Sequence, residues 1–346
     1  MSKPVLASAE DCRPLYDLMD KIRAMAPWEW MEEQDLFGVQ DPESGELGFV
    51  SVMGMAGEYR AISLYLGARG LYGFWHIQEM APLMDPQDLL NQPQLQASFD
   101  DRELLEKRDR DIIKQLGRKY RGQGAWPSFR SFRPGYAPWY LEPAEARFLA
   151  HALEQVLQIA PRVRDEGAIF LAPGSDDSYL VRVPEKQGDK LIWRDEFRQI
   201  EPPGLTQLMI KFDANLLERV KTLPRKKIRL EADFFMIPAL IGERGERPYY
   251  AYVLLMVETQ YDMVVGMEVL SPVPSLEQMY SQVGITALQQ LAKLGFLPSQ
   301  IDVRENVLYG MLMPFAQPLN LNVRQTQRLP RLDRARRDMM MNFGRD

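Results

Sequence analysis

The part of this chain that most restricts its fold lies beyond residue 225. Three strand-like runs come first: residues 228–237, "YYAYVLLMVE" (249–258) and "DMVVGMEVLS" (262–271). "GERGERP" (242–248) is a hairpin loop between the first two, and a tight turn joins the second to the third. Ser275 and Gln278 then make a capping box for a helix. Along it Leu276, Met279, Val283, Ala287, Leu291 and Leu294 recur on one face until Gly295 stops it. "SQIDVRE" reads as a fourth strand, "NVLYGMLMPFA" as a helix, "LNVRQTQ" as a fifth strand and "RLDRARRDMMMNF" as a last helix. The order is strand-strand-strand-helix-strand-helix-strand-helix, with one further helix predicted just ahead of it, near 213–222.

The first of these strands poses a chemical question. "RLEADFFMI" (229–237) reads as a core strand, yet Glu231 and Asp233 lie two residues apart and therefore share a face. A lone carboxylate in that setting is costly unless a cation or hydrogen-bond donors meet it. Either that face is solvated or its acids hold something.

A chain of 346 residues is long for one core and predicts two domains, 1–200 and 205–346, with the boundary near "EPPG" (201–204). In the first, Ser8 and Asp11 bracket a helix start, and Leu15, Leu18, Met19 and Ile22 form its apolar face before Pro27. Residues 36–54 read as two strands around a Pro/Ser/Gly turn, 58–67 as a strand and 68–80 as a helix, with a proline-broken loop over 81–95. "ASFDDRELL" (97–105) leads into a charged helix running to Tyr120. "WPSFRSFRPGYAPWYL" (126–141) is extended and turn-broken, and Pro143 opens a long helix. "GAIFLAP" and "SYLVRVPEKQGDKLIWRDEF" are strand-like, which makes the N-terminal domain α+β.

Hydrophobic residues make up 46% and charged residues 26%, ordinary for a soluble globular chain. The longest apolar runs are too short to span a bilayer, and charge interrupts the N-terminus before a signal-like run forms, so a cytoplasmic protein with no membrane partner is expected. Cys12 is the single cysteine and His76 and His151 the only histidines, which argues against a Cys/His zinc site; any metal would be hard and oxygen-bound, Mg²⁺ or Mn²⁺. Cys12 has no neighbouring histidine to make it a nucleophile. His76 reads as packed beside Trp75, and His151 as exposed. There is no P-loop, no G-x-G-x-x-G after a strand, no G-x-S-x-G and no H-E-x-x-H.

Net charge is −6, but positive charge is concentrated twice: nine Lys/Arg against two Asp over 107–133, and six Arg against one Asp over 324–337. In the first, Arg130 and Arg133 alternate with Trp126, Phe129, Phe132, Tyr136 and Trp139. Stacking and phosphate contact in single-strand binding use such residues, so Arg130, Arg133, Trp126 and Tyr136 are candidate nucleic-acid or partner contacts; the alternative is an aromatic core beside a solvated helix.

The element order beyond residue 225 resembles the ribonuclease-H-like superfamily in its integrase and transposase branch. The resemblance implies an α/β domain with a five-stranded mixed sheet, three antiparallel strands followed by parallel ones. It also implies a metal-binding aspartate in the middle of the first strand, a second carboxylate ending the fourth and a third on the final helix. Asp233, Glu305 and Asp333 occupy those places, with Asp302 and Asp338 close by. Two-metal phosphoryl transfer needs carboxylates converging in this way. The sequence departs from the pattern at the second position, where Glu replaces the usual Asp and no Asn-Gly follows. Arg334, Arg336 and Arg337 crowd the third and can fill the site as salt bridges. The chain as a whole is similar to a family of uncharacterised bacterial two-domain proteins through "APWEWM" (26–31), "LFGVQDPESGELGFVSVMG" (36–54), "SFDDREL" (98–104) and "AWPSFRSFRPGYAPWYLEPAEARFL" (125–149). The expectation is a non-enzymatic or regulatory protein without cofactor, binding a protein or a nucleic acid through a degenerate ribonuclease-H-like module. The alternative is a divalent-metal-dependent nuclease or phosphoryl-transfer enzyme.

Overall fold

Helix α1 (Ala9–Met25) starts where its donors find acceptors: the Ser8 hydroxyl accepts the Asp11 N–H, and the Asp11 carboxylate accepts the Ser8 N–H at 2.8 Å. It ends at Ala26, which takes a left-handed conformation (φ 56°) ahead of Pro27. The structure is a computed structural model and describes residues 5–57, 59–80, 91–167, 170, 178–188, 190–204, 210–243, 245–304 and 306–343. The chain forms two compact units, Met1–Pro134 with Pro138–Leu205, and Thr206–Asp346 with Gly135–Ala137. No described helix is long and apolar enough to cross a membrane.

After α1, the first unit contains β1 (Phe37–Gln40), β2 (Leu47–Met53), β3 (Ala61–Leu66), α2 (Gly67–Met80), β4 (Gln94–Asp100), α3 (Lys107–Gln115), β5 (Trp126–Phe132), α4 (Pro143–Glu166), β6 (Ser178–Gln187) and β7 (Lys190–Gln199). The strands form one sheet in the order β5-β4-β3-β2-β1-β6-β7. All neighbours are antiparallel except β1 and β6, which run parallel with Val39 opposite Arg182. Side chains alternate across the sheet. On one face Val39, Val50 and Ile62 meet Leu15 and Met19 of α1 and Leu149, Leu153 and Val156 of α4. On the other, Phe49 and Tyr65 meet Leu71 and Phe74 of α2.

Four features of this unit differ from the sequence reading. Residues 94–100 form a strand, because the apolar positions Leu95, Ala97 and Phe99 are needed between β3 and β5. The charged helix stops at Gln115, and Gly117 (φ 69°) turns the chain away before Tyr120. His76 is exposed, and His151 is half-buried with its ring 5.8 Å from Trp193. "GAIFLAP" lies outside the described residues except for Gly167, which caps α4, and Phe170.

The second unit contains α5 (Ala214–Lys221), β8 (Arg229–Ile241), β9 (Tyr249–Glu258), β10 (Met263–Leu270), α6 (Leu276–Leu294), β11 (Gln300–Val303), α7 (Asn306–Ala316), β12 (Asn322–Gln325) and α8 (Pro330–Phe343). Its sheet has the order β10-β9-β8-β11-β12. β8, β9 and β10 pair antiparallel through short connections, whereas β11 runs parallel to β8 and β12 parallel to β11. Helices α6 and α7 make the longer crossovers that parallel neighbours need. The sheet is covered on both faces, which explains the nearly continuous burial of β8 from Leu230 to Ile237. On one face Phe235, Val253, Leu255 and Val257 pack against Leu332, Ala335 and Met339 of α8. On the other, Phe234 stacks on Tyr252, and Tyr280 of α6 meets both rings edge-on.

Candidate functional site

Glu231 and Asp233 are both buried, and both point at the face that carries α8. A helix leaves its first N–H groups without partners inside the helix. Glu231 supplies two of them: one carboxylate oxygen accepts the backbone N–H of Arg331 at 2.9 Å and of Leu332 at 2.8 Å. Negative charge at that end also suits the helix dipole. Burial raises the Glu231 carboxyl above its ordinary range, against the pull of those two N–H groups, and the nearby Asp302 and Asp333 add to the rise.

Asp233 is 1% exposed. Its carboxylate accepts the Phe234 N–H at 2.9 Å and lies 3.6 Å from Arg304 Nη1. The same guanidinium donates from Nη2 to Asp333 Oδ1 of α8 at 2.6 Å. Burial raises Asp233, while Arg304 and the Phe234 N–H act to lower it. Arg304 follows β11 directly in sequence, so the parallel pairing of β11 with β8 delivers it to this face. Asp233 and Asp333 are thus brought together by one shared guanidinium. Glu305, the third expected ligand, lies outside the described residues.

The arginine that does this is not one of those the sequence pointed to. Arg334 pairs with Asp262 at 2.8 Å, and Arg336 lies over the Phe235 ring at 4.2 Å. The arginines on α8 adjoin Asp333 in sequence. Arg304 is distant from both aspartates in sequence and reaches them only through strand register.

Asp302 forms a second knot. It receives Arg229 Nη2 at 2.6 Å, Arg324 Nε at 2.8 Å and Gln300 Nε2 at 2.6 Å. Burial opposes its ionisation, but hydrogen bonds from Arg324, Arg229 and Gln300 outweigh it and hold the carboxyl below its ordinary value. A depressed carboxylate contributes stability that is complete above the unfolded-state value of 3.8 and is lost as pH falls through the folded-state value. Asp302→Asn should therefore cost about 1–3 kcal/mol at neutral pH. The deficit should shrink on acidification from about pH 5 to about pH 2, as urea unfolding curves would show.

Asp233 and Asp333 already share a positive charge whose Coulomb repulsion would oppose a metal between them. Among the described residues, no group of three or more His, Cys, Asp or Glu side chains is arranged to hold a metal ion.

The aromatic and basic candidates of the first half have the following partners. Arg130 forms a two-pronged ion pair with the buried Asp109 of α3, at 2.9 and 2.6 Å, and lies over the Tyr140 ring. Arg133 reaches Glu142 at 2.6 Å and Glu145 at 2.8 Å, at the start of α4. Trp126 is half-buried between Tyr120 and Arg102, and Tyr136, which belongs to the second unit, meets Tyr249 edge-on. A phosphate at either arginine would have to displace a carboxylate already in place.

Residues 13–182 match a family model described as Domain of unknown function (DUF7309), and residues 216–340 one described as Domain of unknown function (DUF6930). Neither description names an activity. No curated protein matches the chain. The first match lies in the first compact unit apart from Gly135–Ala137, the second lies within the second unit, and the two domains of unknown function fit an uncharacterised two-domain family.

Proposed function

We propose that this is a non-catalytic binding protein whose second unit is a ribonuclease-H-like module, with the Arg304 guanidinium where catalytic members hold a divalent cation. The observation that carries the reading is the single guanidinium lying between Asp233 and Asp333. The strand order β10-β9-β8-β11-β12, with three antiparallel strands and two parallel ones, supports the fold assignment. Asp233 stands on the central strand and Asp333 on the final helix, where that superfamily places carboxylates. In this protein those acids fasten α8 to the sheet through a protein-borne cation, and the work of binding falls to the surface.

The test is titration of the full chain with Mn²⁺, followed by calorimetry and paramagnetic resonance, alongside cleavage assays on single- and double-stranded DNA and RNA. The expected result is no saturable Mn²⁺ site and no cleavage. Mn²⁺-dependent cleavage that disappears in Asp233→Asn would overturn the reading in favour of the nuclease.

A further inference from the structure

Three connections lead into the N-terminal ends of the parallel strands of the second unit: 222–228 into β8, 295–299 into β11 and 317–321 into β12. Hydrogen bonds hold them side by side. The Lys226 N–H donates to the Leu297 carbonyl and the Leu297 N–H to the Pro224 carbonyl, each at 2.9 Å, and the Ser299 N–H donates to the Ile228 carbonyl at 2.8 Å. Arg225 reaches the third connection, donating from Nη1 to the Asn320 carbonyl at 3.0 Å and from Nη2 to the Leu319 carbonyl. This rim lies at the end of β11 away from Arg304.

The rim stays positive when the acids around it are counted. Residues 219–229 contain six Lys/Arg and no acid, and 293–300 and 317–324 add Lys293 and Arg324, again with no acid. Three carboxylates reach these eight cations: Glu218 pairs with Lys221, Glu268 lies 3.5 Å from Lys293, and Asp302 is shared by Arg229 and Arg324. The adjoining strand and turn bring Glu231, Glu258 and Asp262 together with Arg331 and Arg334, which makes ten cations against six acids. Among the described residues Arg219, Arg225, Lys226 and Lys227 have no carboxylate partner, and all four are exposed. Lys226 lies 4.4 Å from the centre of the buried Phe296 ring. Unlike Arg130 and Arg133, these cations hold no acid that a phosphate would have to displace.

The surface between the charges is polar. Ser299, Asn320 and Asn322 are exposed, and Gln300 stands between Arg229 and Asn322 in one row across the sheet. No large apolar or aromatic side chain of the three connections is exposed. That composition selects among ligands. A protein partner would look for an apolar centre to its interface. A single strand would look for aromatic rings on which to stack its bases. A lipid surface is held by apolar side chains as well as by charge. A second copy of the chain would set two positive rims against each other. The backbone of a duplex is met by cations and neutral donors alone.

We propose that this rim binds the phosphate backbone of double-stranded nucleic acid without reading its sequence. Arg219, Arg225, Lys226 and Lys227 supply the charge, and Ser299, Asn320 and Asn322 supply neutral donors beside it. This rests on the reading of the protein as a binding module and names its partner.

The test is fluorescence anisotropy of the full chain with labelled duplexes of about 20 base pairs. Two duplexes of unrelated sequence should bind equally, with Kd on the order of 1–100 µM at physiological salt. The logarithm of the affinity should fall with the logarithm of salt concentration with a slope of about −3 to −4, as for about four phosphate contacts. Lys227→Ala should make that slope shallower by about one. Arg219→Glu combined with Lys227→Glu should weaken binding about tenfold or more, whereas Lys114→Glu on α3 of the first unit should leave it unchanged. The substituted side chains are exposed, and circular dichroism would check that the variants fold. Absence of binding at low salt, a slope near zero, or an equal loss in Lys114→Glu would each overturn the proposal. So would tighter binding of single strands or inorganic polyphosphate at equal phosphate concentration, or of poly-glutamate at equal charge. The outcome is separable from the metal test. Mn²⁺-dependent cleavage would remove the non-catalytic reading and leave the rim standing if the double variant still weakens binding. Failure of duplex binding would remove the rim and leave the non-catalytic reading.

Discussion

Arg304→Leu should destabilise the second unit by about 3–5 kcal/mol, the usual consequence of removing one partner from a buried ion pair. Asp233 would be left almost fully buried, with the Phe234 N–H at 2.9 Å to meet it. Asp333 would lose its donor at 2.6 Å. The loss should depend on pH in a definite direction. Burial already raises Asp233, and without Arg304 the rise becomes larger. A carboxyl raised in the folded state contributes stability that is complete below the unfolded value and is lost as pH rises through the folded value. The Arg304→Leu deficit should therefore be greatest at neutral pH and shrink as pH falls toward the unfolded value of 3.8. Asp233→Asn in the same chain should recover part of it, because a neutral amide is cheaper to bury than an unpaired carboxylate. Denaturant unfolding of the two single variants and the double variant measures all of this. A loss near zero for Arg304→Leu would mean that the guanidinium does not hold α8 to the sheet.

Arg130→Ala should destabilise the first unit by a similar amount, about 3–5 kcal/mol. Arg130 fits Asp109 in two-pronged fashion, and Nη1 also donates to the Phe129 carbonyl at 2.7 Å. Removing it leaves Asp109 buried with the Glu106 N–H at 2.9 Å. Lysine should rescue poorly, since an ammonium cannot reproduce the planar fork. The same experiment distinguishes two roles for this residue. If Arg130 served mainly to bind phosphate, alanine would leave the thermal midpoint in place and weaken nucleic-acid binding in a salt-dependent way. The geometry predicts a lowered midpoint.

What could be read from the sequence was governed by the range of the interaction. The capping box at Ser8 and Asp11 and the apolar stripe of α6 depend on residues three or four apart, and the chain displays them directly. Strand β4 is hidden in the sequence because its alternation, Gln94 to Asp100, runs into the acidic turn that follows, and acids in that position resemble the approach to a helix. The carboxylates of β8 were legible as a problem, since acids on one face of a core strand require partners. Their solution was not legible: Asp233 is met from Arg304 and Glu231 from the backbone of α8, and only the register of β8, β11 and α8 brings those groups together. The same holds for Arg130, whose acid lies 21 residues away on a helix. A run of arginines among aromatics looks like an open surface until the positions of the acids are known.

The parallel pairing of β1 with β6 bears on how the chain emerges from the ribosome. β2 through β5 can assemble on one side of β1 as they are made, but its other side stays unpaired until β6 has been synthesised. At ~5–20 residues per second that interval is on the order of ten seconds. During it a nascent sheet offers a bare margin to chaperones and to neighbouring chains. β1 is four residues long, and its brevity keeps that margin narrow until β6 closes it.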